Sequence, residues 1–138
     1  MKVYPHDEIL RTVSKGHRDV LDALVARSTL SRKMTHTADE AERDRLARLL
    51  KCSAKSVANA LSALSRPAYD GGPELLIRLR PGVYRLNPAY YFIGSEDQRD
   101  AAIEMVVALR QGRLRQRDQR STRKKRAKVL PLTVVNVA

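Results

Sequence analysis

T-A-D-E-A-E-R-D-R-L-A-R-L-L-K-C-S-A-K-S-V-A-N-A-L-S-A-L, residues 37 to 64, reads as two short helices separated by a turn. Thr37 followed by Glu40 has the form of a capping box, which predicts a helix start at that point. Ala41, Leu46, Leu49 and Leu50, with Ala47 between, are its apolar positions, and from Leu46 onward they share one face. Lys51-Cys52-Ser53 breaks the pattern. Ser53 predicts the cap of a second helix, because its hydroxyl can accept a hydrogen bond from a free amide of the new first turn. Val57, Leu61 and Leu64 recur at helical spacing and face the first helix. Ala54, Lys55, Ser56, Asn59 and Ala60 then point away from the core. Lys51 stands where such a turn often has Gly, because that residue tends to sit at positive φ, and Lys there costs about 1 kcal/mol.

The outward face is small, polar and weakly basic. Small residues let a helix approach the floor of a groove, and Lys and Asn can read purine edges, Asn being suited to adenine. Two helices with the second so exposed have the geometry that docks in a major groove. Ser53, Ala54, Lys55, Ser56 and Asn59 are therefore the expected base-reading set. The plainer alternative is a pair of core helices with a solvated face.

Charge points the same way. The 138 residues suffice for one domain with a modest core, and they carry a formal net charge of +12. Such a balance favours nucleic acid or another anionic partner. The excess is local: residues 110 to 128 hold ten Lys or Arg and one acid, Asp118, while the remainder holds 17 basic and 14 acidic residues. The expected arrangement is a near-balanced domain over residues 1–111 and a basic, disordered tail over 112–138. The tail's Arg113, Arg115, Arg117, Arg120, Arg123, Lys124, Lys125, Arg126 and Lys128 would sit on phosphates when bound. The final V-L-P-L-T-V-V-N-V-A is apolar and β-prone, with docking, edge pairing and a loose end all open.

A single cysteine fits a reducing cytosol. The start meets charge before any apolar run, so no secretion signal is expected, and no apolar stretch approaches the length of a membrane span.

Around the central pair, Val3, Ile9, Leu10 and Val13 suggest a lead-in segment. Ser14 is a candidate cap for a helix from about His17 to Arg27, with Val20, Leu21, Leu24 and Val25 inward. Leu30 and Met34 could anchor a short strand or turn. Pro67 stops the second helix of the pair, and Asp70-Gly71-Gly72-Pro73 is a turn cluster. L-L-I-R-L-R-P-G-V-Y-R-L-N, residues 75 to 87, then reads as a β-hairpin turning at Pro81-Gly82. A two-residue turn there pairs Arg80 with Val83, Leu79 with Tyr84, Arg78 with Arg85 and Ile77 with Leu86. One face is then Ile77, Leu79, Tyr84 and Leu86, and the other carries Arg78, Arg80 and Arg85. Arg78 opposite Arg85 would repel, which an anion lying between them would relieve. A phosphate-binding hairpin after a recognition helix is the wing of a winged helix. An L-Pro-Gly turn is not the favoured two-residue type, so a wider tip is open.

The order helix, helix-turn-helix, hairpin, followed by G-V-Y-R-L-N-P-A-Y-Y-F-I-G (Gly82 to Gly94), resembles RepL-type plasmid replication initiators. In that family the wing's second strand runs into a Tyr, Asn-Pro, aromatic and Gly sequence; Gly82, Tyr84, Asn87, Pro88, Phe92 and Gly94 stand in such positions. The resemblance covers roughly residues 3 to 110 and does not include the basic tail. It implies a winged-helix fold, binding at a plasmid origin to initiate replication, and contact with host replication proteins.

Asn87-Pro88 should end the strand, and Tyr90, Tyr91 and Phe92 form the main aromatic cluster. A final helix should start at Ser95 or Glu96 and is apolar nearly all round through Leu109. Its second side suggests either a homodimer contact around Met105 and Val106 or a deeply embedded helix. His6, His17, His36 and Cys52 lack metal-ligand spacing, and Cys52 fits a small buried core position. No cofactor is implied. The expected fold is α+β, mainly α: a winged helix-turn-helix with a C-terminal helix and a disordered basic tail. The expected function is sequence-specific binding of double-stranded DNA in the cytoplasm, at a plasmid origin, without enzymatic activity. The alternatives are a winged-helix repressor of plasmid or phage genes, a tail-led non-specific nucleic-acid binder, and a nicking enzyme using Tyr90 or Tyr91.

Overall fold

Four short polar side chains punctuate the chain by accepting from the free amides of a first helical turn. Ser14 Oγ accepts from His17 N (3.4 Å), Asp39 Oδ1 from Glu42 N (2.9 Å), Ser53 Oγ from Ser56 N (3.1 Å) and Ser95 Oγ from Gln98 N (3.2 Å). The computed structural model describes residues 1–67 and 73–137, with the side chains of 114, 117, 118 and 120–137 excepted. The elements run β1 (Lys2–Val3), α1 (Asp7–Leu10), α2 (Lys15–Ser31), β2 (Thr35–Thr37), α3 (Glu40–Leu50), α4 (Ala54–Leu64), β3 (Leu76–Arg80), β4 (Val83–Leu86), β5 (Tyr91–Phe92) and α5 (Glu96–Val137). The architecture is mixed α+β, mainly helical, with small antiparallel sheets. By contact the chain divides into two compact units, Met1–Ile103 and Glu104–Ala138.

In the first unit α2, α3 and α4 pack on one another. Val20, Leu21 and Leu24 of α2, Leu46 and Ala47 of α3, and Val57, Ala60, Leu61 and Leu64 of α4 form one core with Leu75, Leu76 and Leu86. The expected inward stripe of α4 is present, with Ala60 added: it is 1% exposed and does not point outward as expected. On α3, Leu49 is 61% exposed, so the buried face is narrower than the leucine pattern suggested.

The helix α3 starts at Glu40, not at Thr37. Thr37 ends β2, where a β-branched residue fits, and Asp39 takes the cap instead. The helix α2 runs four residues beyond its expected end at Arg27, to Ser31, and closes on Arg32 in the left-handed region (φ 57°).

Strand order in the three-stranded sheet is β2-β4-β3, so β4 is central. Its pairing with β3 corrects the expected hairpin. Arg80 pairs with Val83 as expected, but a bulge at Leu79 shifts the rest: Arg78 pairs with Tyr84, Ile77 with Arg85 and Leu76 with Leu86. Arg78 and Arg85 are not opposite, and the like-charge argument for an anion between them falls. The extra residue arises where the tip is fastened from outside the hairpin: Ala38 N donates to Gly82 O at 2.7 Å, with Gly82 at φ 76°.

Asn87 turns the chain out of β4. Its Nδ2 donates to Glu74 O (2.6 Å), its Oδ1 accepts from Ala89 N (3.0 Å), and its carbonyl accepts from Tyr90 N and Tyr91 N. The chain thus enters β5, which pairs with β1 in a two-stranded sheet that the sequence did not suggest. At the start of α5, Ser95 and Gln98 form a reciprocal box, Ser95 N donating to Gln98 Oε1 at 2.9 Å. Arg99 donates to Pro88 O and Ala89 O and lies 3.5 Å from the centre of the Tyr4 ring, while Tyr4 donates to Glu96 at 2.8 Å.

The second unit is the remainder of α5. The sequence predicted helix only to about residue 111 and disorder beyond; the helical backbone continues through Gly112 to Val137. Gly112 disfavours helix by about 1 kcal/mol relative to Ala, too little to end one flanked by Arg, Gln and Leu. Propensity supplies no reason for the last turns, which follow Pro131.

Candidate nucleic-acid interface

The helix α4 contains one charged residue, Lys55, and no acid. Ser53, Lys55, Ser56 and Asn59 are exposed, as expected, and Ala54 is half-buried. Two of the five are already engaged: Ser53 Oγ holds the first turn, and it lies 2.9 Å from Ser56 Oγ. Lys55 and Asn59 therefore carry the free polar chemistry of this face. Clefts flank them on both sides. One of about 330 Å³ runs beside Asn59, Ser56 and Cys52 towards Gly16 and His17 of α2. The other, about 260 Å³, brings Lys55 together with Glu40, Arg43 and Asp44 of α3. Arg43 was missed from the sequence because α3 looked purely supportive.

The turn before α4 keeps Lys51 at φ 55°, the left-handed position anticipated for it, with Cys52 N donating to Ala47 O at 2.9 Å. Cys52 is exposed, not buried as expected. Leu46 and Ala47 already close the core beneath the turn, so no apolar position is left for it.

On the hairpin, Arg78 and Arg80 are exposed and Arg85 is half-buried. Burial lowers the pKa of Arg85, and its Nε is buried without a hydrogen-bond partner. Arg85 sits on the central strand between Thr35 and Ile77, so the three arginines do not form one free face. No acid occurs between residues 75 and 87. On α5, Arg113 and Arg115 are exposed. The side chains of Arg117, Arg120, Arg123, Lys124, Lys125, Arg126 and Lys128 lie outside the described residues.

The aromatic cluster is tied to the amino-terminal segment. Tyr91 is buried, its hydroxyl 2.6 Å from His6 Nε2, while His6 Nδ1 lies 2.6 Å from Tyr4 O and the imidazole stacks on Tyr90. Burial pushes the Tyr91 phenol up to about 12. Among the described residues no group of three or more His, Cys, Asp or Glu is arranged to hold a metal ion, and no helix is long and apolar enough to cross a membrane. Comparison with protein-family models, with curated proteins and with solved structures finds no match to this chain.

Proposed function

We propose that the first unit is a winged helix that binds duplex DNA at specific sites. One observation carries the reading: in the order α2-β2-α3-α4-β3-β4, the next element after a capped helix with exposed Lys55 and Asn59 is an acid-free hairpin with exposed Arg78 and Arg80. In such a protein α4 enters the major groove and the hairpin lies on the neighbouring backbone. The resemblance of Gly82 to Gly94 to RepL-type initiators makes a plasmid origin the proposed site, with initiation of replication the outcome and host replication proteins as further partners in the cytoplasm. A repressor would use the same parts; the position of the bound site in the encoding DNA, at an origin or upstream of an operon, separates the two. The clustering of positive charge in residues 110 to 128 favours one further reading, a non-specific binder led by α5.

Selection of duplexes from a random pool by the intact chain tests the central claim. Enrichment of one sequence is expected. On that sequence Asn59→Ala should lose about 1–3 kcal/mol of binding and little on random DNA; an equal loss on both would remove Asn59 as a base reader, and no enrichment would remove specific binding. The reading also takes a second copy of the chain as partner through the segment around Met105 and Val106. Val106 is buried, whereas Met105 is 67% exposed and Val107 44%. The chain should therefore sediment as a dimer, and Met105→Glu should halve that mass; a monomer at high micromolar concentration would rule this out.

A further inference from the structure

We propose that Leu79 is an apolar wedge: it enters the minor groove of the bound duplex between the phosphate contacts of Arg78 and Arg80 and unstacks one base step. The inference rests on the winged-helix reading and adds to it a contact, a groove and a deformation.

It begins with the bulge. Regular alternation would send Leu79 inward with Ile77, which is 4% exposed. Instead Leu79 is the unpaired residue between Arg78 and Arg80 and is 40% exposed. Bulges re-aim side chains in this way, and here the re-aimed residue is a large hydrophobe at the tip of a hairpin. The tip is held: Arg80 pairs with Val83, and Ala38 N donates to Gly82 O at 2.7 Å, linking the turn to the residue before the α3 cap. The backbone that carries Leu79 is thus held on the hairpin before any partner is bound.

Its flanks specify the partner. Arg78, Arg80 and Pro81 are exposed, and the whole stretch from residue 75 to 87 lacks an acid. An apolar side chain between two cations fits a surface with anionic walls and an apolar floor. The minor groove is such a surface: about 6 Å wide, it excludes a helix but admits single side chains. Proteins that insert leucine or similar wedges there unstack a step and kink the duplex by about 20–90°. A second copy of this chain pairing along the outer edge of β3 would instead bring Arg78 and Arg80 against their own kind, which is unfavourable.

The test uses the intact chain and a duplex it has enriched from a random pool, labelled at its ends for energy transfer and carrying 2-aminopurine at successive positions. The wild type should bring the ends together and raise the fluorescence at one step several-fold. Leu79→Ala should lose both signals while still binding, and Leu79→Met, which keeps the bulk, should retain both. A thermal melt without DNA shows that the alanine variant is folded. Specific binding to a straight, fully stacked duplex overturns the wedge and leaves the DNA-binding reading standing. So does an alanine variant that retains both signals. If Leu79→Ala lowers the sedimenting mass in the absence of DNA, Leu79 serves contact between copies and the wedge is likewise overturned. A chain that enriches no duplex overturns both readings together.

Discussion

His36 is buried on β2, its Nε2 2.6 Å from the Oγ of Ser28, which is buried as well. Burial first, and the nearby Arg27 second, hold its pKa below the ordinary imidazole range. The neutral ring is thus the form the fold accepts. As pH falls through about 6.5 the unfolded chain takes up this proton before the folded one does. Stability is therefore complete above that pH and declines below it, until the folded histidine also titrates. Glu42 acts in the same sense but lower: its hydrogen bond to Arg45, with a further contribution from Arg27, depresses its pKa from 4.5, so its contribution is lost only as pH falls through that depressed value. The Glu42 window opens at the lower pH. Thermal melts should show Tm falling as pH drops below about 6.5, and His36→Gln should flatten that fall. An unchanged slope in the variant would locate the proton uptake elsewhere.

Lys51 shows what an element asks of one position. The turn from α3 to α4 needs a residue at φ 55°, and Lys supplies it against its preference. Lys51→Gly should raise stability by up to about 1 kcal/mol, less the added freedom of the unfolded chain, read as a higher Tm without DNA; a lower Tm would mean that the lysine side chain stabilises the turn. This strain was legible in the sequence, as were the caps at Ser14 and Ser53, because each signal lies within a few residues of its effect. Thr37 misled because a better cap, Asp39, stands two residues on, and the threonine was free to join a strand. The strand β1 left no trace, and β2 only the suggestion of a short strand or turn near Met34: they are two and three residues long, and their partners lie far along the chain. The bulge was hidden by its own pattern. Ile77 and Leu79 alternate as an inward face should, so alternation favoured the wrong register, and only the bond from Ala38 to Gly82 explains the tip. Of the candidate interface, the outward face of α4 could be read from periodicity. The half-burial of Arg85 could not, because it depends on β2 making β4 a central strand.

Across the molecule, positive charge is divided between a hairpin and a helix, and the two should contribute differently to binding. Arg78 and Arg80 are held on a fastened hairpin in the same unit as α4. Their phosphate contacts would be in fixed register and would orient the helix that reads bases. The cations of residues 113 to 128 belong to the second unit, nine of them against one acid. Phosphate contacts made by these cations would carry no sequence information of their own. Each phosphate neutralised adds about 0.9 to the slope of log K against log salt. Deleting residues 113–138 should flatten that slope by several units and weaken specific and random duplexes alike, leaving their ratio nearly unchanged. Replacing Arg78 and Arg80 with Ala should flatten it by at most about two units and weaken the specific duplex more than the random one. Arg85→Ala should act mainly on the melting temperature, because its side chain is half-buried within the sheet. A salt series on the three variants decides between the readings. If the deletion abolishes discrimination while Arg78→Ala with Arg80→Ala changes nothing, binding is led by α5, and α4 is a core helix with a solvated face.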